Sequence, residues 1–229
     1  MLHLILALQA NLLLAAVALA LRLPGALGVA ACVPVGLAVM HYAGTEGYAL
    51  LAAYAAIGVL VGLGERIAHA AEPRAPQAAH SALSVGNVIA GCVPPVVLAV
   101  FWDSLPDPAP CHAAVTAGFG AIAGNAASRG FAAFAPRPDR GACSIRPTVG
   151  GTVIATAGGC VVALAGCAAG GILLAHIWAV IAAVAGANLC FSLIALIARR
   201  NAGPAIWAAN LVSATAACAA AGALTWAAR

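Results

Sequence analysis

The stretch Thr148–Arg200, TVGGTVIATAGGCVVALAGCAAGGILLAHIWAVIAAVAGANLCFSLIALIARR, decides the fold. From Val149 to Ala198 it holds no Asp, Glu, Lys or Arg, and its one internal punctuation is the pair Gly170 and Gly171. Each side of that pair offers roughly 20 residues rich in Ala, Val, Leu, Ile and Gly, enough for a helix to cross about 30 Å of hydrocarbon. Polar and apolar positions do not alternate, so a β-barrel is not indicated and the backbone polar groups must be satisfied within helices.

Working outward, the rest of the chain reads the same way. Of 229 residues, 64% are hydrophobic and 7% are charged, a composition that belongs to an integral membrane protein. Apolar runs fall at 2–21, 25–40, 47–64, 82–102, 112–127, 149–169, 172–197 and 205–227. The expected fold is all-α, a polytopic transmembrane bundle of six to eight helices forming one domain over 1–229. The second and fifth runs are short and the sixth and seventh nearly touch, so the count needs a second signal.

The arginines supply it. All ten basic residues are arginine. Arg22 follows the first run, Arg66 and Arg74 the third, Arg129, Arg137, Arg140 and Arg146 the fifth, and Arg199 and Arg200 the seventh. The gaps between hold His41 and Glu46, then Asp103, Asp107 and His112, then glycine alone. This alternation selects eight spans. By the positive-inside rule it predicts cytoplasmic arginine loops, including the segment 128–148, with both termini outside a cell inner membrane. Met1–Gln9 has no basic n-region, so the first run is expected to be a retained helix rather than a signal peptide.

Six of the eight cysteines, Cys32, Cys92, Cys160, Cys167, Cys190 and Cys218, lie in apolar runs, where the thiol behaves as a small hydrophobe. Cys111 is assigned to the outer side and Cys143 to the cytoplasmic loop, so neither a disulfide set nor a metal site is expected. His176 is read as a hydrogen-bonded histidine near a helix end rather than a proton relay. Glycines four apart (Gly58 and Gly62, Gly120 and Gly124, Gly166 and Gly170) predict close helix packing. Pro34, Pro94 and Pro95 predict kinks or local unwinding.

The densest polar chemistry lies between Gly124 and Thr156. Asn125 and Ser128 are expected at the membrane surface just before Arg129. Arg137, Asp139 and Arg140 form a turn, and Arg146, Thr148, Gly150 and Gly151 lead into the next helix. Arginine forks match phosphate oxygens, and backbone amides at a helix start favour anions. The plainer reading is that these arginines set topology and touch anionic lipid head groups.

The order of these features resembles the membrane family catalogued as domain of unknown function 92, which includes phytyl-phosphate kinases. Its members carry an Asn-Ala-Asp-Thr-Trp-Ala-Ser-Glu type segment ending one helix, then an arginine-bearing loop and a Gly-Thr-Ser-Gly-Gly turn. Asn125, Ala126 and Ser128 match the first segment in part, and Thr148, Gly150 and Gly151 keep part of the turn. Ala82–Ala90, with Gly86 and Asn87, is similar to the family's Asn-Gly-Gly stretch, and Asn210–Trp226 to its closing helix. The likeness spans most of residues 11–226. It departs at the acids: Ala127, Ala132 and Phe191 stand where the family has carboxylates, the last within Ala187–Ser192.

The resemblance implies a protein that binds or phosphorylates an isoprenoid phosphate at the cytoplasmic face, with Mg²⁺ and CTP or ATP if it is a kinase. Phosphate contacts would come from Asn125, Ser128, Arg129, Arg137, Arg140, Arg146, Thr148, Gly150 and Gly151, and Asp139 would be the candidate catalytic metal ligand. The alternative is an inactive relative that binds a lipid phosphate or serves as a membrane scaffold. A small transporter ranks third, because no carboxylate lies in any run. The expected partners are membrane lipids. Nucleic acid is not one, since the arginines are tied to interhelical gaps without interleaved aromatics. The sequence leaves the oligomeric state open.

Overall fold

A computed structural model describes residues 2–20, 26–71, 84–132, 149–197 and 202–228. Among these the chain is all-helical: α1 (Leu2–Ala20), α2 (Ala26–Ala71), α3 (Val85–Ala99), α4 (Ala109–Ala132), α5 (Val149–Ala168), α6 (Ile177–Ile197) and α7 (Ala202–Ala227), with a 3₁₀ turn at Leu174–His176. Five stretches are long and apolar enough to cross a membrane: His3–Ala20, Leu27–Gly64, Gly150–Ala168, Leu174–Ile194 and Ile206–Ala227. Gly170, at φ 86, makes the turn between α5 and α6, so the Gly170–Gly171 pair separates two helices as the sequence implied.

The runs 25–40 and 47–64 are not joined by a loop. They form one helical element, α2, whose 46 residues would extend about 69 Å if straight, more than twice a hydrocarbon core. Its continuity is broken at Gly44, where φ is 59 and ψ −155, a conformation open essentially to glycine alone. Residues eight apart in a straight helix are separated by about 12 Å along the axis. Here a Cβ on Gly47 would sit 3.3 Å from Val39 Cγ1 and against the Ala43 methyl. The chain therefore doubles back at Gly44. Tyr48 Oη on the second limb donates to the Ala7 carbonyl at 3.3 Å, while Gly36 on the first faces Asn11, so α1 touches both limbs. Among the described residues, seven α-helices thus give eight segments. Pro34 does not unwind its helix, and α3 continues through Pro94 and Pro95 to Ala99.

The buried positions of α1, namely Ala7, Asn11, Ala15 and Ala18, form one stripe facing α2, and the opposite face exposes Ile5, Leu6, Leu12, Leu13, Val17 and Leu19. In contrast, α4 is surrounded. It packs on α2, α3, α5, α6 and α7, and residues 113–126 are all buried. Small side chains make this arrangement possible. A Cβ on Gly120 would lie 3.4 Å from the Gly159 carbonyl oxygen, one on Gly159 would lie 3.2 Å from that of Gly120, and Gly124 abuts the Ala155 carbonyl. The Gly120 and Gly124 spacing thus seats the α5 backbone directly on that of α4, as small residues do between membrane helices.

The helices alternate in direction, and polar groups segregate to opposite ends. At one end, the tip of α2, the end of α3, the start of α4 and the end of α5 meet. A Cβ on Gly171 would contact Trp102 and Glu46 at 3.3 and 3.4 Å, and His112 stacks on Trp102 with centroids 3.9 Å apart. At the other end, Gly130 of α4 meets Val61 of α2, so Arg129 and, one turn beyond Val61, Arg66 both lie toward that pole.

Candidate functional site

The arginine-bearing end is held by carboxamides. Ser84 caps α3 by accepting from the Asn87 amide at 3.3 Å, which fixes Asn87 in the first turn. Asn210 of α7 donates from Nδ2 to Asn87 Oδ1 at 3.1 Å, and its own Oδ1 accepts from Asn125 Nδ2 at 3.2 Å. Asn125 Nδ2 also donates to Ser213 Oγ at 2.9 Å. One oriented chain of amides therefore ties α3, α7 and α4 at a single level. The side chains are 1 to 4% exposed, so the network is internal.

Asn125 was expected at the membrane surface. It lies instead in the bundle interior, because its amide is the bond that joins α4 to α7. Ser128 and Arg129 do lie nearer the end of α4 and are half-buried. Ser128 Oγ and Arg129 Nε both donate to the Asn125 carbonyl, at 3.1 and 3.2 Å. The Arg129 guanidinium carbon sits 5.6 Å from the centroid of the buried Phe191 ring on α6, within the range of a cation–π contact.

Asn188 stands one turn before Phe191. It is 2% exposed, and neither Nδ2 nor Oδ1 has a hydrogen-bond partner among the described residues; Asn125 Oδ1 lacks one as well. A Cβ on Gly124 would lie 2.9 Å from Asn188 Nδ2, which places this amide beside the Asn125 turn of α4. An unsatisfied buried polar group costs about 1–3 kcal/mol, so these atoms are costly to maintain without a complement.

The other sequence candidates are distributed around this cluster or beyond it. Gly150 is exposed and Gly151 half-buried in the first turn of α5. Arg137, Asp139, Arg140, Arg146 and Thr148 lie outside the described residues. Asn87, Asn188, Asn210 and Ser213 were not singled out as site residues. The sequence does carry a signal for them: an amide inside an apolar run is costly enough to require a partner.

The donor set of this cluster is carboxamides, a hydroxyl and a guanidinium. It does not fit Mg²⁺, which binds through carboxylates and phosphates. The two acid positions of the resemblance that fall here are filled by packing groups. Ala127 turns its methyl toward Gly158, where a Cβ would meet it at 3.1 Å, and Phe191 lies under Arg129. Among the described residues no group of three or more His, Cys, Asp or Glu could hold a metal ion.

The opposite end has its own polar set. His112 Nε2 lies 3.0 Å from the Trp102 carbonyl and 3.7 Å from the exposed Asp103 carboxylate. Asp107 Oδ1 accepts from the Ala109 amide at the head of α4. Cys111 is buried, its Sγ donating to the Leu98 carbonyl at 3.3 Å. None of the seven described cysteines is in a disulfide. His176 is in the 3₁₀ turn ahead of α6 rather than inside the helix.

Compared with known proteins, the chain matches no family model, no curated protein and no solved structure.

Proposed function

We propose that this chain is an integral membrane protein that binds an isoprenoid phosphate at the arginine-bearing end of an eight-segment helical bundle. One observation carries the reading. Four separate segments that resemble the phytyl-phosphate kinase family each deliver an asparagine, Asn87, Asn125, Asn188 and Asn210, to the same buried end, beside Arg129. A guanidinium beside a buried polar cluster suits a phosphate head, while the exposed apolar helix faces suit a prenyl chain in lipid.

Binding is favoured over phosphoryl transfer. Transfer from CTP or ATP needs a Mg²⁺ site, and alanine and phenylalanine stand at acid positions of the resemblance. The test offers labelled geranylgeranyl phosphate to purified protein in liposomes, with and without γ-labelled CTP or ATP and Mg²⁺. Saturable binding that weakens at least tenfold in Arg129→Gln, with no label in a prenyl diphosphate, is expected. Label in the diphosphate would replace this reading with the kinase, and absence of saturable binding would remove it.

The arginine-bearing end is proposed to be cytoplasmic. Exposed aromatics mark both ends, Trp178, Trp226, Phe101 and Tyr42 around the opposite one and Trp207 and Phe131 near the arginines, as interfacial belts do, so the side rests on the arginines. In a background lacking other cysteines, Asp103→Cys should react with an impermeant maleimide added outside intact cells, and Cys143 should not. The reverse pattern would invert the topology. Native Cys111 is a poor reporter, because its thiol is buried against α3, and it should label far more slowly than Asp103→Cys.

A further inference from the structure

The amide network leaves an imbalance that phosphate capture by Arg129 alone does not address. Asn210 uses its Nδ2 and Oδ1 within the network, yet Asn188, equally buried on α6, places both polar side-chain atoms against no described partner. It lies deeper than Phe191 and Arg129 by one helical turn, packed against Gly124, where a Cβ on α4 would meet its Nδ2 at 2.9 Å. The Oδ1 atom of the neighbouring Asn125 is likewise without a partner among the described residues. The complement to Asn188 must both accept a hydrogen bond and donate one. A phosphate monoester meets that demand: a phosphoryl oxygen accepts from Nδ2, and the P–OH of its singly protonated form donates to Oδ1.

We propose that Asn188 is a ligand-binding residue that receives the phosphate monoester head between α4 and α6, one turn deeper in the bundle than Arg129. This rests on the phosphate-binding reading above and adds to it a specific contact and a depth. The head group enters the bundle; it does not rest on its rim. Asn188 therefore discriminates a monoester, which has a free P–OH, from a phosphodiester head group, which has none.

The experiment measures equilibrium binding of geranylgeranyl phosphate, phosphatidic acid and inorganic phosphate to full-length protein in phosphatidylcholine nanodiscs, with thermal unfolding in parallel. For wild type and Asn188→Leu, the expected result is at least a tenfold loss of affinity for the monoester that wild type prefers, with no fall in unfolding temperature. A buried leucine removes the unmatched polar group, so a purely structural role would leave binding unchanged. The preferred ligand among the three identifies the source of the monoester. Unchanged binding by Asn188→Leu, with loss in Arg129→Gln, would overturn the role of Asn188 and leave the phosphate site standing. If Asn188→Leu does not fold, Asn188→Ser is measured by the same criterion: a tenfold loss supports the contact and equal affinity overturns it. Failure of wild type to bind any of the three would overturn both readings.

Discussion

Replacing Gly124 with valine is expected to destabilise the protein more than any other single substitution considered, by about 3 kcal/mol. The added Cβ would be driven into the backbone carbonyl of Ala155 and would meet Asn188 Nδ2 at 2.9 Å. A carbonyl in mid-helix cannot rotate away as the end of a side chain can, so α5 must separate from α4 along the whole Gly120–Gly124 seam. Gly124→Ala already introduces the offending atom and should show part of the effect. Gly186, where an added Cβ meets nothing within 4 Å, is the matched control, and Gly186→Ala should be close to neutral. Unfolding followed by denaturant or heat in a defined detergent checks the series. Equal stability of Gly124→Val and wild type would mean that the two backbones are not in contact.

The second large effect is expected at Asn210. It is the middle of the amide chain, so Asn210→Leu removes the donor of the Asn210–Asn87 bond and one of the two acceptors of Asn125 Nδ2. Hydrogen bonds between helices in membranes contribute modestly, about 0.6–2 kcal/mol each. Removing one partner of a buried pair exceeds that, because the survivor remains desolvated. A loss of about 2–3 kcal/mol is expected from the two bonds together. A double-mutant cycle with Asn87→Leu separates the components. The second substitution should cost far less in the Asn210→Leu background, since Asn87 has lost its described amide partner on α7. Additive losses would place the two residues in independent environments.

How much of this was legible in the sequence depends on which physical quantity each feature rests on. Long apolar runs and their glycine junction at Gly170 follow from hydropathy and length, so six of the eight run assignments are recovered as separate helices. The turn at Gly44 is different. The polar residues His41 and Glu46 suggested a gap between two runs, whereas helix persists to Ala43 and resumes at Thr45, and only a backbone angle tells the two apart. The close approach of α4 and α5 was readable from Gly120 and Gly124, because small residues four apart leave few other uses for a helix face. The site was half legible. Asn125 and Arg129 were legible from the polar, arginine-bearing stretch that ends their run, but the sequence placed Asn125 on the surface because the end of its run was near. Burial of that residue comes from α7 closing over it, and a partner 85 positions away along the chain leaves no local trace.

The central position of α4 has a consequence for biosynthesis. It is not among the stretches apolar enough to qualify as a crossing by composition, since it contains His112, Thr116, Asn125, Ser128 and Arg129 among many small residues. Yet it is the helix with the most neighbours, and three of them, α5, α6 and α7, emerge from the ribosome after it. Offered alone to a translocon, such a segment gains little from contact with lipid. In a bilayer, its retention therefore depends on chain that has not yet been made when it is first exposed. Helix α4 is the segment at which interrupted synthesis would do the most harm, and nascent chains ending before α5 are the species that quality-control proteases would meet.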